Sequence, residues 1–196
     1  MDSVYHVLKV IHVIGFVMMS IPLFNLIVVN ERVLMGSSFS YATDRYMENI
    51  IRHGAVRCYI FQLTVLISGM FLLVFGPLGL QSILTNWVII IKTAVLFILM
   101  GLLSFVHFHL QPRIEELMTT ISPDSVIPEG FSARLKPYRV RRKRLATLCL
   151  FLVLTTIILG LQVYARFNPI ITTALIASVA LFSLRVNKTL ILFGWI

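Results

Sequence analysis

An all-α, polytopic membrane helix bundle of about five spanning helices is the fold the sequence predicts, and three observations predict it. Hydrophobic residues make up 58% of the 196 and charged ones only 13%, about half the charged share of a soluble domain. Apolar runs close to the roughly 20 residues a spanning helix needs recur at about 5–30, 54–75, 87–110, 145–164 and 169–185. Finally, 17 Lys plus Arg against 8 Asp plus Glu give a formal +9, and the excess sits in the connectors. That pattern fits membrane orientation and anionic lipid at a basic loop, not nucleic acid. Residues 1–196 read as a single transmembrane domain with no soluble module, low-complexity tract or repeat.

Each element has its local reasons. The first run, Tyr5 to Asn30, lacks a basic leader and a small-residue cleavage site, so it is expected to be kept. Pro22 should kink it and free the Met18 carbonyl. After the polar connector, Thr43 or Asp44 can cap a helix in which Tyr46, Met47, Ile50 and Ile51 repeat at helical spacing, so the second helix begins outside the bilayer and runs to about Phe75. Gly76 to Gly79 end it. The third runs from Trp87 to about Leu110, with Pro112 expected to kink it. A loop with Pro123, Pro128 and Gly130 leads into the basic run Arg134 to Arg144, and the fourth helix spans about Leu145 to Tyr164. Asn168 and Pro169 form a cap and first-turn pair for the fifth. The tail to Trp195 and Ile196 extends that helix or lies at the interface.

Five spans put the chain ends on opposite sides. Arg32, Arg45, Arg52, Arg57, the Arg141 to Arg144 cluster, Arg185 and Lys188 share one side, whereas outside the helices the other side has only Arg166. The N-terminus is therefore expected outside and the C-terminus in the cytoplasm, with Tyr5, Trp87, Tyr164 and Trp195 in interfacial belts. The setting expected is a cell membrane of the bacterial inner-membrane kind. The Arg141 to Arg144 cluster reads as a topology and lipid-contact signal.

Polar residues inside apolar helices need partners. His6, Lys9 and His12 fall toward the outer face, with Lys92 at a similar level five residues after Trp87; His53, His107 and His109 fall toward the other face. Neutral imidazole is a good axial ligand for haem iron, and a flat apolar macrocycle can slot between spanning helices. This makes His12 the first candidate ligand, Lys92 and Lys9 its neighbours, and His53 with His107 a second candidate pair, with Arg52, Arg57 and Arg113 near enough in sequence for propionates. Other readings stand beside these. Lys9 and Lys92 can snorkel, His6, His53 and His109 can simply be interfacial, and His12 and His107 can join helices by hydrogen bonds. Asn25, Gln62 and the Ser68-Gly69 pair read as helix joints or points of close approach. Met18 and Met19 read as packing, and Cys58 and Cys149, far from any C-x-x-C, as small buried hydrophobes.

The Lys9-Val10-Ile11-His12 motif followed by Gly15-Phe16, together with Trp87, Lys92 and His107 on the third helix, resembles the HemJ-type protoporphyrinogen oxidases and their CopD-like relatives. The resemblance covers roughly Tyr5 to Glu116. It implies a haem-associated membrane protein in which His12 and Lys92 bind haem b. The fourth helix opens with Arg-Arg-Lys-Arg-Leu-Ala-Thr where HemJ-type enzymes carry an N-E-x-P-like segment, which ranks the oxidase chemistry second.

The leading expectation is thus a haem b protein that moves electrons, linked to quinone or to the subunits of a respiratory or photosynthetic complex. It holds one haem, with a second as the further expectation. A HemJ-type oxidase and a cofactor-free accessory subunit are the alternatives. No residue is assigned a catalytic role, and no hydrolase triad, phosphate loop or zinc motif is present.

Overall fold

The computed structural model of the chain describes residues 2–35, 40–121, 128–163 and 168–188. Its regular elements are all helical: α1 (Asp2–Met35), α2 (Tyr41–Phe75), the short α3 (Ser82–Thr85), α4 (Trp87–Phe105), a π-helical segment (Val106–Leu110), α5 (Gln111–Thr119), α6 (Phe131–Gln162) and α7 (Pro169–Lys188). Because α4, the π segment and α5 continue as one rod, five helices are long and apolar enough to cross a membrane. Tyr164, Arg166, Pro123, the side chain of Arg32 and the tail with Trp195 lie outside the described residues.

Caps and breaks sit largely where the residue chemistry puts them. The Asn86 side chain accepts from the Val88 N–H (3.0 Å) to start α4, and Asn168 accepts from the Ile170 N–H (2.9 Å) to start α7. Gly76 closes α2 where any Cβ would come within 2.8 Å of the Tyr5 ring. Three boundaries differ from expectation. First, α2 starts at Tyr41, because the Asp44 carboxylate reaches back to the Ser40 N–H (3.1 Å) and caps from inside the helix. Second, the chain continues helically through Pro112. This proline cannot bond the Phe108 carbonyl, and the wider π turn just before it absorbs the mismatch. Third, α6 begins at Phe131, well ahead of Leu145, so the basic run is helix and not loop. Pro137 lies inside α6 in its second turn, where it leaves the Ala133 carbonyl without its intrahelical bond.

The ring of the bundle runs α1, α2, α4, α6: α1 packs on α2 and α6, α4 also packs on α2 and α6, and α7 lies outside against α6. Helices α1 and α4 therefore face each other across the axis with little direct contact. The main core interleaves Met19, Leu23, Ile27, Val65, Leu99, Leu150 and Val153. With 34, 35 and 32 residues at about 1.5 Å each, α1, α2 and α6 outrun the roughly 30 Å hydrocarbon layer. Their surplus length gathers at the basic end, where Ile114, Met118, Ile121, Phe131 and Leu135 form a second apolar cluster.

Candidate functional site

His12 is half-buried on α1, with its Nδ1 against the Ser68 hydroxyl of α2. The Ser68 hydroxyl donates its single proton to the Thr64 carbonyl (2.5 Å), so its lone pair is what faces His12 Nδ1 at 3.0 Å. In the tautomer that matches this hydroxyl, Nδ1 is the N–H donor and Nε2 carries the lone pair. A donor bond from the far ring nitrogen is how metal-binding histidines are oriented. Gly69 lets the ring lie flat on α2, since a Cβ there would stand 3.2 Å from His12 Cε1. The Ser68-Gly69 pair thus acts as both joint and point of close approach, as its composition suggests.

Across the axis, Lys92 on α4 is half-buried with its ammonium against α6, where a Cβ on Gly160 would come within 3.4 Å of Nζ. It has no acidic partner among the described residues. His12 lies within range of its charge. Two helices that scarcely touch each other therefore send an imidazole and an ammonium to one layer of the bundle, each seated on a glycine of a third or fourth helix. Lys9, half-buried one turn before His12, belongs to the same face of α1.

This donor set fits a haem iron, which brings its own four ring nitrogens and asks the protein for one or two axial side chains. Among the described residues no group of three His, Cys, Asp or Glu gathers as a site for a bare ion would require. The space is tighter than the donors. An apolar cavity of about 70 Å³ lies further along the bundle, lined by Met19, Leu99, Cys149 and Val153 among others and by neither His12 nor Lys92. Ligand pockets usually take about 300–1,000 Å³, so a macrocycle here requires α1 and α4 to part, and those two helices have little mutual packing to lose.

The other histidines are not brought together. His53 is exposed, and its Nδ1–H donates to the Asn49 carbonyl (2.8 Å) beside a groove between α1 and α2. His107 sits on the π segment with its ring edge-on to Tyr59 (6.0 Å between centroids) and its Nδ1 buried without a hydrogen-bond partner. Six residues separate His53 from Tyr59 on α2, about 120° of helix rotation, so the two histidines address different sides of that helix. His6 is exposed beside Tyr5, and His109 stacks on Phe105.

The feature sequence reasoning missed is a buried ionic network at the basic end. Arg142 is 0% exposed; its Nη1 and Nη2 donate to the two carboxylate oxygens of Glu48 (2.6 and 3.0 Å), Nη1 also to Gln111 Oε1 (2.9 Å), and Nε to Asn30 Oδ1 (3.0 Å). Asn30 is held in that orientation by donating Nδ2–H to the Leu26 carbonyl. Arg139 bridges Asp44 (2.7 Å) and Glu48 (3.2 Å), Lys143 pairs with Glu31 (3.2 Å), and Arg45 meets Glu115 at the rim. The network ties α1, α2, α5 and α6 together between the two apolar clusters. The reading of Arg141 to Arg144 as a topology and lipid signal is thereby corrected. Arg141 and Arg144 face outward, Arg141 over the Phe105 ring, while Arg142 and Lys143 face inward. One signal could have found this: Leu135, Arg139, Arg142, Ala146, Leu150 and Val153 form a continuous helical stripe, and its upper half is plainly core.

Compared with family models, curated proteins and solved structures, the chain finds no match.

Proposed function

We propose that this is a multi-pass membrane protein that binds one haem b through His12 and serves electron transfer, with Lys92 as the second iron ligand or the partner of a propionate. The observation that carries the reading is the His12–Ser68–Thr64 chain. With Nδ1 as the N–H donor, Nε2 is an acceptor inside an apolar bundle, and Lys92 on α4 lacks an acidic partner among the described residues. When bound, haem supplies a one-electron couple. The protein's own part is to hold the imidazole in one tautomer and orientation, to present a positive charge at the same depth, and to keep both in an apolar surround that limits water. Kinship with HemJ-type and CopD-like proteins, a quinone or complex-subunit partner, and an N-terminus outside a bacterial inner membrane belong to the same proposal. The second haem does not, because His53 and His107 address different sides of α2.

The test is an absorption spectrum of protein purified from haem-replete cells. A Soret band with reduced α and β bands is expected, lost in His12→Ala while the variant still inserts. In Ser68→Ala, haem affinity should fall about 10–100-fold, the usual effect of removing a ligand's orienting partner. No Soret band and no uptake of added haemin would replace this reading with a cofactor-free accessory subunit.

A further inference from the structure

Beside Pro22, between α1 and α2, a groove of about 410 Å³ opens on the outside of the bundle. Its composition changes along its length. Toward the middle of the bundle its walls are Ile21 and Phe61; toward the basic end they are Asn25, Asn49, His53 and Arg57. All four polar residues are exposed, and Arg57 has no acidic partner among the described residues. Such a face is costly in a bilayer unless something polar meets it, since an amide or guanidinium turned to hydrocarbon loses its hydrogen bonds.

Depth decides what meets it. Counting back about 20 residues from Phe75, the length that spans the hydrocarbon, reaches the level of Arg57, so the guanidinium stands where lipid phosphates lie. His53 and Asn49 follow one and two turns further toward the water. The His53 tautomer is set by its Nδ1–H bond to the Asn49 carbonyl, and Nε2 is the second polar atom of this exposed ring.

We infer that this groove is a binding site for an anionic phospholipid of the basic-side leaflet, its phosphodiester held by Arg57 with His53 and the Asn25 and Asn49 amides, and one acyl chain lying along Ile21 and Phe61. Charge complementarity selects this occupant over a neutral quinone, for which a guanidinium at the polar end has no counter-charge. The apolar walls select a lipid over free phosphate. The site is also distinct from the outward-facing Arg141 and Arg144, which stand on α6 and do not line it.

Native mass spectrometry of the full chain in a mild detergent, titrated with phosphatidylglycerol, tests this. One tightly held lipid per chain is expected, with affinity at least tenfold weaker in Arg57→Gln and unchanged in Arg144→Gln, both exposed positions that leave the fold intact. Phosphatidylcholine should bind several-fold more weakly, and millimolar inorganic phosphate should not displace the lipid. Equal losses in both arginine variants would show diffuse attraction to the basic end. Retention of lipid in Arg57→Gln, displacement by inorganic phosphate, or co-purification of a quinone in its place would each overturn the assignment. None of these readouts depends on haem.

Discussion

Replacing Arg142 with Met is the sharpest perturbation of the fold. The change removes four hydrogen bonds, two of them to Glu48, from a side chain with no exposure to solvent. Asp44, Glu48, Arg139 and Arg142 balance two charges against two; without Arg142, two carboxylates share the one guanidinium of Arg139. Breaking a buried pair this way costs about 3–5 kcal/mol, or roughly two to three and a half orders of magnitude in the unfolding constant at about 1.4 kcal/mol per tenfold. The double variant Glu48→Met/Arg142→Met restores neutrality, keeps the Arg139–Asp44 pair, and leaves Asn30, Gln111 and the Arg139 groups that met Glu48 short of partners, at about 1–3 kcal/mol each. It should therefore be clearly more stable than the sum of the single losses predicts. Unfolding in mixed micelles of mild detergent and dodecyl sulfate, followed by far-ultraviolet circular dichroism, measures all four proteins. Single effects that add within about 0.5 kcal/mol, or a wild-type midpoint for Arg142→Met, would refute the network as a coupled unit.

Further expectations follow from the same geometry. Gly69→Ala places a methyl 3.2 Å from His12 Cε1 and should lower haem retention several-fold, whereas Gly160→Ala meets only the movable end of Lys92 and should lower it less; equal effects in haem titrations would move the site away from His12. Gly15→Val should loosen the α1–α2 contact, because even a Cβ there lies 3.2 Å from Thr64 and 3.3 Å from Val65. A loss of about 1–3 kcal/mol is expected from such overpacking, and an unchanged unfolding midpoint would contradict the packing described. Pyridine haemochrome assay against protein mass should give a ratio near one, unchanged in His107→Ala. Tags at the two termini should be accessible from opposite sides of the membrane, the N-terminal one from outside.

The helices were legible because their causes are local. Apolar runs of spanning length, Asn168 before Pro169 and Gly76 at the end of a run act through nearest neighbours and through the bilayer, and both can be read from a string of residues. His12 and Lys92 were also legible as a pair, since rise per residue converts position along a spanning helix into depth. What depth does not convey is rotation and pairing. Counting residues puts His53 and His107 at one level, yet His107 meets Tyr59, six residues along α2 from His53, and only packing decides on which side of α2 each falls. Likewise the Ser68 proton, which sets the His12 tautomer, depends on a contact between residues 56 positions apart. The basic run was misread for the same physical reason. Outside the membrane a cluster of Arg and Lys is ordinarily solvated, and nothing adjacent in sequence marks Arg142 as buried. Its carboxylate comes from Glu48, its amides from Asn30 and Gln111, three helices that meet α6 only when the bundle closes. The number of helices long and apolar enough to cross a membrane is written in the run of residues; which side chains face one another is a matter of packing, because the partners of a buried charge are supplied by segments far apart in the chain.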